Sequence, residues 1–161
     1  MINRRVAFAA AALAVAASSA PAHGNSRGQA KVVLDGKAVT IDYGRPTLQG
    51  RDMLAQAAVG QAWRLGADTA TTLTTQAELT FGSTVVPKGE YVLTATKVAP
   101  DEWQLNVKSK DKATVADIPL ALSKLKESVE TFTIELTGEK NKGALAMSWG
   151  DSVLKAAFTG K

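Results

Sequence analysis

Arg45, Arg51 and Arg64 fall within 20 residues of one another, and no lysine occurs from position 38 to position 87. The guanidinium is a planar, pre-organised donor fork that suits a carboxylate, a phosphate or a row of hydroxyls, whereas lysine serves well on a solvated surface. The same stretch carries Asp42, Tyr43, Asp52, Trp63, Asp68, Thr69, Thr71 and Thr72, with Gly44, Gly50, Gly60 and Gly66 to permit tight turns. Two readings follow. In the first the segment builds a binding site from Tyr43, Arg45, Arg51, Trp63, Arg64, Asp68 and Thr72. The three arginines hold an anionic or polar group, Tyr43 and Trp63 form an aromatic wall, and Asp68 orients an arginine. In the second the arginines pair with Asp42, Asp52 and Asp68 and pin loops to the body of the fold.

Other chemistries are narrowed by what the chain lacks. It has no cysteine and one histidine, which removes disulfides, thiol nucleophiles, cysteine metal sites and iron–sulfur clusters. No serine sits in a nucleophile-elbow context, and there is no phosphate loop. Carboxylates remain as acid–base groups, and a hydrolase acting on an envelope glycan or ester through Asp68 or Asp52 is the enzymatic alternative. Neighbouring arginines lower carboxyl pKa values and disfavour a general acid, so no catalytic residue is assigned. Trp63, Trp103 and Trp149 are either a sugar platform or core packing. No metal site or cofactor is expected: His23, as a mature N-terminus, offers an amine and an imidazole to a metal such as copper, but the sequence supplies no second imidazole.

These residues must be positioned by strands. Val39, Ile41 and Tyr43 alternate with Thr40 and Asp42; Tyr91, Leu93 and Ala95 with Val92, Thr94 and Thr96; Trp103, Leu105 and Val107 with Gln104, Asn106 and Lys108. Phe132, Ile134 and Leu136 repeat the pattern, as do Leu145, Met147 and Trp149. Period-two alternation between frequent turns predicts half-buried antiparallel strands, hence an all-β antiparallel sandwich, with a jelly roll as one form of it. Asp35-Gly36 predicts a hairpin. Arg51 to Ala57 is expected to form two helical turns, and Leu120 to Lys126 is either helix or a strand leading into a turn.

Tyr43-Gly44-Arg45-Pro46, then Gly50-Arg51, then Trp63-Arg64-Leu65-Gly66-Ala67-Asp68 and Ala70-Thr71-Thr72 stand in one order. Pro87-Lys88-Gly89-Glu90-Tyr91 and Glu102-Trp103-Gln104-Leu105-Asn106 follow. This series resembles the signature of a secreted bacterial family known as domain of unknown function 2911, over roughly residues 31 to 158. The resemblance implies a secreted all-β domain and implies no reaction.

The first residues, Met1 to Arg5 followed by an apolar run from Val6 to Ala17, have the shape of a secretory signal, with cleavage expected after Ala22. The run is too short for a membrane-spanning helix, which needs about 20 residues. Residues 23–30 are small and polar and are expected to be a flexible lead to a single domain over 31–161. The mature chain has 17 basic against 15 acidic residues, a net charge of +2 that gives little drive toward nucleic acid. The expectation is therefore a periplasmic or secreted domain, non-enzymatic, binding an envelope glycan or a small polar or anionic ligand. A purely structural or interaction domain is the remaining alternative.

Overall fold

The structure is a computed structural model that describes residues 25–161. The expected signal segment and His23 lie outside the described residues. Ten strands and one helical turn follow in order: β1 (Ser26–Leu34), β2 (Lys37–Arg45), α1 (Met53–Gln56), β3 (Ala62–Trp63), β4 (Thr71–Thr75), β5 (Leu79–Phe81), β6 (Thr84–Val86), β7 (Gly89–Ala99), β8 (Glu102–Lys108), β9 (Thr114–Glu139) and β10 (Lys142–Gly160). All pairings are antiparallel, in the order β1-β2-β4-β7-β8-β9-β10-β5-β6, with β3 added beside β7.

The fold is all-β. The strands form one continuous sheet in which β9 serves two ladders: Thr114–Leu120 pairs with β8, and residues from Ala121 onward pair with β10. Within the β9–β10 ladder the register slips. Gly150 opposes Val129 and Ser152 opposes Lys124, so β9 carries extra residues where the two strands bend together. Such bulges are how a strand changes direction without leaving its ladder. Asp35 and Gly36 both take positive φ, at 46° and 80°, the turn a two-residue hairpin requires.

The alternation predicts the interior correctly. Val39, Ile41, Tyr43, Leu93, Ala95, Trp103, Leu105, Val107, Phe132, Ile134, Leu145, Met147 and Trp149 are all buried in one continuous core. Two local expectations differ. The polar stretch before Lys31 is strand from Ser26 onward, because Gly28 pairs with Tyr43 and lies against the Tyr43 ring and the Arg45 stem. Composition alone cannot reveal a partner strand of that kind. The helix over Arg51 to Ala57 is a single turn rather than two, and of the two readings open for Leu120 to Lys126 the strand is the one found, within β9.

Candidate functional site

The arginine segment is laid down by close backbone contact. A Cβ on Gly44 would overlap the carbonyl oxygen of Ala67, so β2 and the loop after β3 touch main chain to main chain. Gly66 takes φ 147° opposite the Gly44 backbone. Leu65 is completely buried, and the Thr71 hydroxyl donates to its carbonyl at 2.6 Å. The residues from Tyr43 to Gly44 and from Leu65 to Ala67 thus form a docking seam.

Arg45 and Arg64 donate to main-chain and threonine oxygens. Arg45 Nε donates to the Phe132 carbonyl at 3.3 Å, and its terminal nitrogen to Thr133 Oγ1 at 3.2 Å. Tyr43 is 3% exposed, its hydroxyl accepts from the Ile134 amide at 2.9 Å, and its ring meets Phe132 edge-on. It belongs to the core and not to a ligand-facing wall. Arg64 donates to the Asp68 carbonyl at 2.9 Å, and the Asp68 carboxylate accepts from the Asn25 amide at 3.0 Å, so Asp68 does not orient that guanidinium with its side chain. Thr72 lies opposite Asp42 on the outer face of the sheet, where Asp42 pairs with Arg27. Arg51 is exposed in the loop before α1. Asp52 caps that helix, accepting from the Ala55 amide at 3.1 Å. The seven expected site residues are therefore spread over the core, the outer face and two loops.

Trp63 alone among them lines a cavity. The cleft has a volume of about 360 Å³ and opens to solvent. Met53, Leu54 and Gln56 of α1 line it, and Ala57, Ala58 and Gln61 of the following loop continue that lining. Trp63, Trp103 and Trp149 complete it. Trp63 is half-buried and stacks on Trp149 with centroids 5.6 Å apart and planes inclined by 15°. It meets Trp103 edge-on at 6.3 Å. Trp149 Nε1 donates to the Glu130 carbonyl at 3.2 Å, so that indole needs no polar partner in the cleft. β3 is only two residues long, yet it places Trp63 beside Ala95 in register with β7. Gly60, at φ 87°, lets the preceding loop fold back so that its amide donates to the Lys97 carbonyl at 2.8 Å.

The walls of this cleft carry no charged side chain. The chemistry offered is aromatic faces and edges, a methionine, and the amides of Gln56 and Gln61.

The family model described as protein of unknown function (DUF2911) matches residues 25–158. The chain belongs to that family. The match spans the docking seam, all three tryptophans, β1 to β9 and all but the last two residues of β10. No curated protein and no solved structure matches the chain. Within this member of DUF2911, the series from Tyr43 to Asp68 reads structurally as the seam whose product is the position of Trp63.

A neighbouring cavity of about 220 Å³ shares Leu54 and Trp103 with the cleft and was not anticipated. Lys97, Lys124, Asp101 and Ser152 reach it. Lys97 continues the inward series Tyr91, Leu93, Ala95, and a charged residue at the next inward position was the available signal. Asp151 is held below the usual carboxylate range, first by its hydrogen bond from Lys124 and further by the Lys124 charge and by Ser152. Among the described residues no group of three or more His, Asp or Glu gathers as a metal site. No helix among them is long and apolar enough to cross a membrane.

Proposed function

We propose that this protein is a non-enzymatic, exported binding domain whose ligand site is the tryptophan cleft, and that the group it receives is a sugar ring of an envelope glycan. The observation that carries this reading is the grouping of Trp63, Trp103 and Trp149 on an uncharged cleft of about 360 Å³. Small-ligand clefts run from roughly 300 to 1,000 Å³ and combine apolar walls with a few polar groups. A sugar presents C–H faces to an aromatic surface and hydroxyls at its rim, which matches tryptophan beside Gln56 and Gln61. The export expected from the N-terminal residues places such a domain where glycans are exposed. Arginine enters this reading as scaffold: Arg45 and Arg64 fasten the elements that present Trp63.

The test is calorimetric titration of soluble envelope glycan fragments, with intrinsic tryptophan fluorescence as a second readout. Trp63→Ala is expected to abolish binding while the domain remains folded. Arg64→Ala is expected to retain ligand-induced thermal stabilisation. Loss of binding in Arg64→Ala together with full binding in Trp63→Ala would return the site to the arginine segment. Turnover of a glycan that disappears in Asp68→Asn would establish the hydrolase alternative.

A further inference from the structure

We infer that the cavity beside the tryptophan cleft is an anion subsite, in which Lys97 receives a carboxylate or phosphate carried by the sugar ligand. This rests on the cleft reading and specifies its substrate class as an acidic sugar.

Three observations converge on Lys97. First, its position in β7 is core-facing. Tyr91, Leu93, Ala95 and Lys97 occupy alternate positions of one strand, and all four are buried. Lys97 pairs in register with Trp103, a wall of the cleft. Second, the side chain is 9% exposed, and the contact its ammonium makes is a 3.5 Å approach to the Ala55 carbonyl. An ammonium has three donors, and removing it from water is costly unless they are matched. Among the described residues no carboxylate lies within ion-pair distance of it. Third, it does not point into packed core but reaches a cavity of about 220 Å³.

The remaining charges of that cavity differ in kind. Lys124 is paired with Asp151 at 3.2 Å and also donates to Ser152 Oγ at 3.3 Å. Its charge is already balanced by a carboxylate. Asp101 is exposed in the turn between β7 and β8, where water screens it. The buried, unbalanced charge is Lys97, and a buried charge acts on a nearby ion through a lower dielectric than an exposed one. The two cavities share Leu54 and Trp103 in their walls, so the Lys97 cavity adjoins the cleft, and a ligand seated against Trp63 that reaches across this shared wall brings a substituent to Lys97. A neutral ring on tryptophan and an anion on lysine are then two parts of one ligand.

A matched pair of probes isolates the anion. The disaccharide N-acetylglucosaminyl-N-acetylmuramic acid bears a lactyl carboxylate, and di-N-acetylchitobiose has the same linkage and lacks it. N-acetylglucosamine 6-phosphate serves as the phosphate arm, compared with N-acetylglucosamine. Titrating each against the full chain, the anionic member of at least one pair is expected to bind about tenfold more tightly than its neutral partner. The preferred pair identifies carboxylate or phosphate as the source. Lys97→Met keeps the apolar stem and is expected to erase that preference while leaving neutral-probe affinity unchanged; Lys97→Arg is expected to restore it. A thermal melt verifies that both variants fold. Equal affinity within both pairs, or a preference that survives Lys97→Met, overturns the subsite while leaving the cleft reading intact. Failure of every probe to bind overturns both.

Discussion

The docking seam and the tryptophan cleft are both rich in the residue types that bind ligands, and they use them oppositely. At the seam, Arg45 and Tyr43 donate to or accept from the main chain of β9, and Gly44 and Gly66 remove the side-chain volume that would keep two backbones apart. Arg45 Nε and one of its terminal nitrogens are thereby committed to holding β9. At the cleft, the Trp149 indole N–H bonds to backbone, and the half-buried Trp63 borders an open volume backed by the buried rings of Trp103 and Trp149. Arg45 and Tyr43 therefore serve the scaffold in this chain, and the cleft is walled mostly by apolar and aromatic side chains. What distinguishes a site is the presence of groups whose bonding capacity the fold itself does not satisfy.

Three substitutions sharpen that contrast beyond the tests of Trp63 and Lys97. The largest effect is expected from Gly44→Ala. The new methyl would meet the Ala67 backbone, which cannot swing away as a flexible side chain would. A loss of roughly 3 kcal/mol or more is expected, in the range reserved for forced core distortions, measured by urea unfolding. Stability near wild type would show that the seam is looser than the close contact implies.

Arg45→Met comes next. It removes two hydrogen bonds, at 3.3 and 3.2 Å, but keeps much of the packed stem. A loss of about 1–2 kcal/mol is expected, with glycan binding unchanged. A variant of normal stability that no longer binds would make Arg45 a ligand contact and collapse the distinction between the two regions.

The smallest effect concerns Asp151 at the border of the lysine cavity. Its carboxyl is held below its ordinary value of 3.8, so its contribution to stability is present above that pH. It is lost as pH falls through the depressed folded-state value, because protonation ends the Lys124 pairing. Melting temperatures of wild type and Asp151→Asn are expected to differ slightly at pH 6 and to converge below pH 3.8. A gap that stays constant with pH would show that the pair contributes nothing to folding.

Much of the fold was legible because strand alternation is a local signal. The inward positions of β2, β7, β8 and β10 follow from residue type alone, and the Asp35-Gly36 turn from backbone preference. The site was less legible for two reasons. Trp63, Trp103 and Trp149 lie on three separate strands, and their meeting depends on pairing order, which alternation does not encode. Arg45 finds its partner 87 residues away in a carbonyl oxygen, and a carbonyl is present at every position, so it leaves no mark in a sequence. The guanidinium cluster looked like a site because three arginines gather where no lysine occurs, while the aspartates nearby offered only the structural reading. Lys97 was readable in principle: a cation that keeps step with Tyr91, Leu93 and Ala95 contradicts the strand's own pattern, and such contradictions gather where function overrides packing.

The single turn α1 stands between the two cavities, with Leu54 belonging to both and Ala55 touching the Lys97 ammonium. A four-residue helix has little intrinsic persistence, and Asp52 supplies its cap from just outside. Both chambers therefore draw part of their walls from the same short turn, and a substitution in α1 alters the lining of each at once.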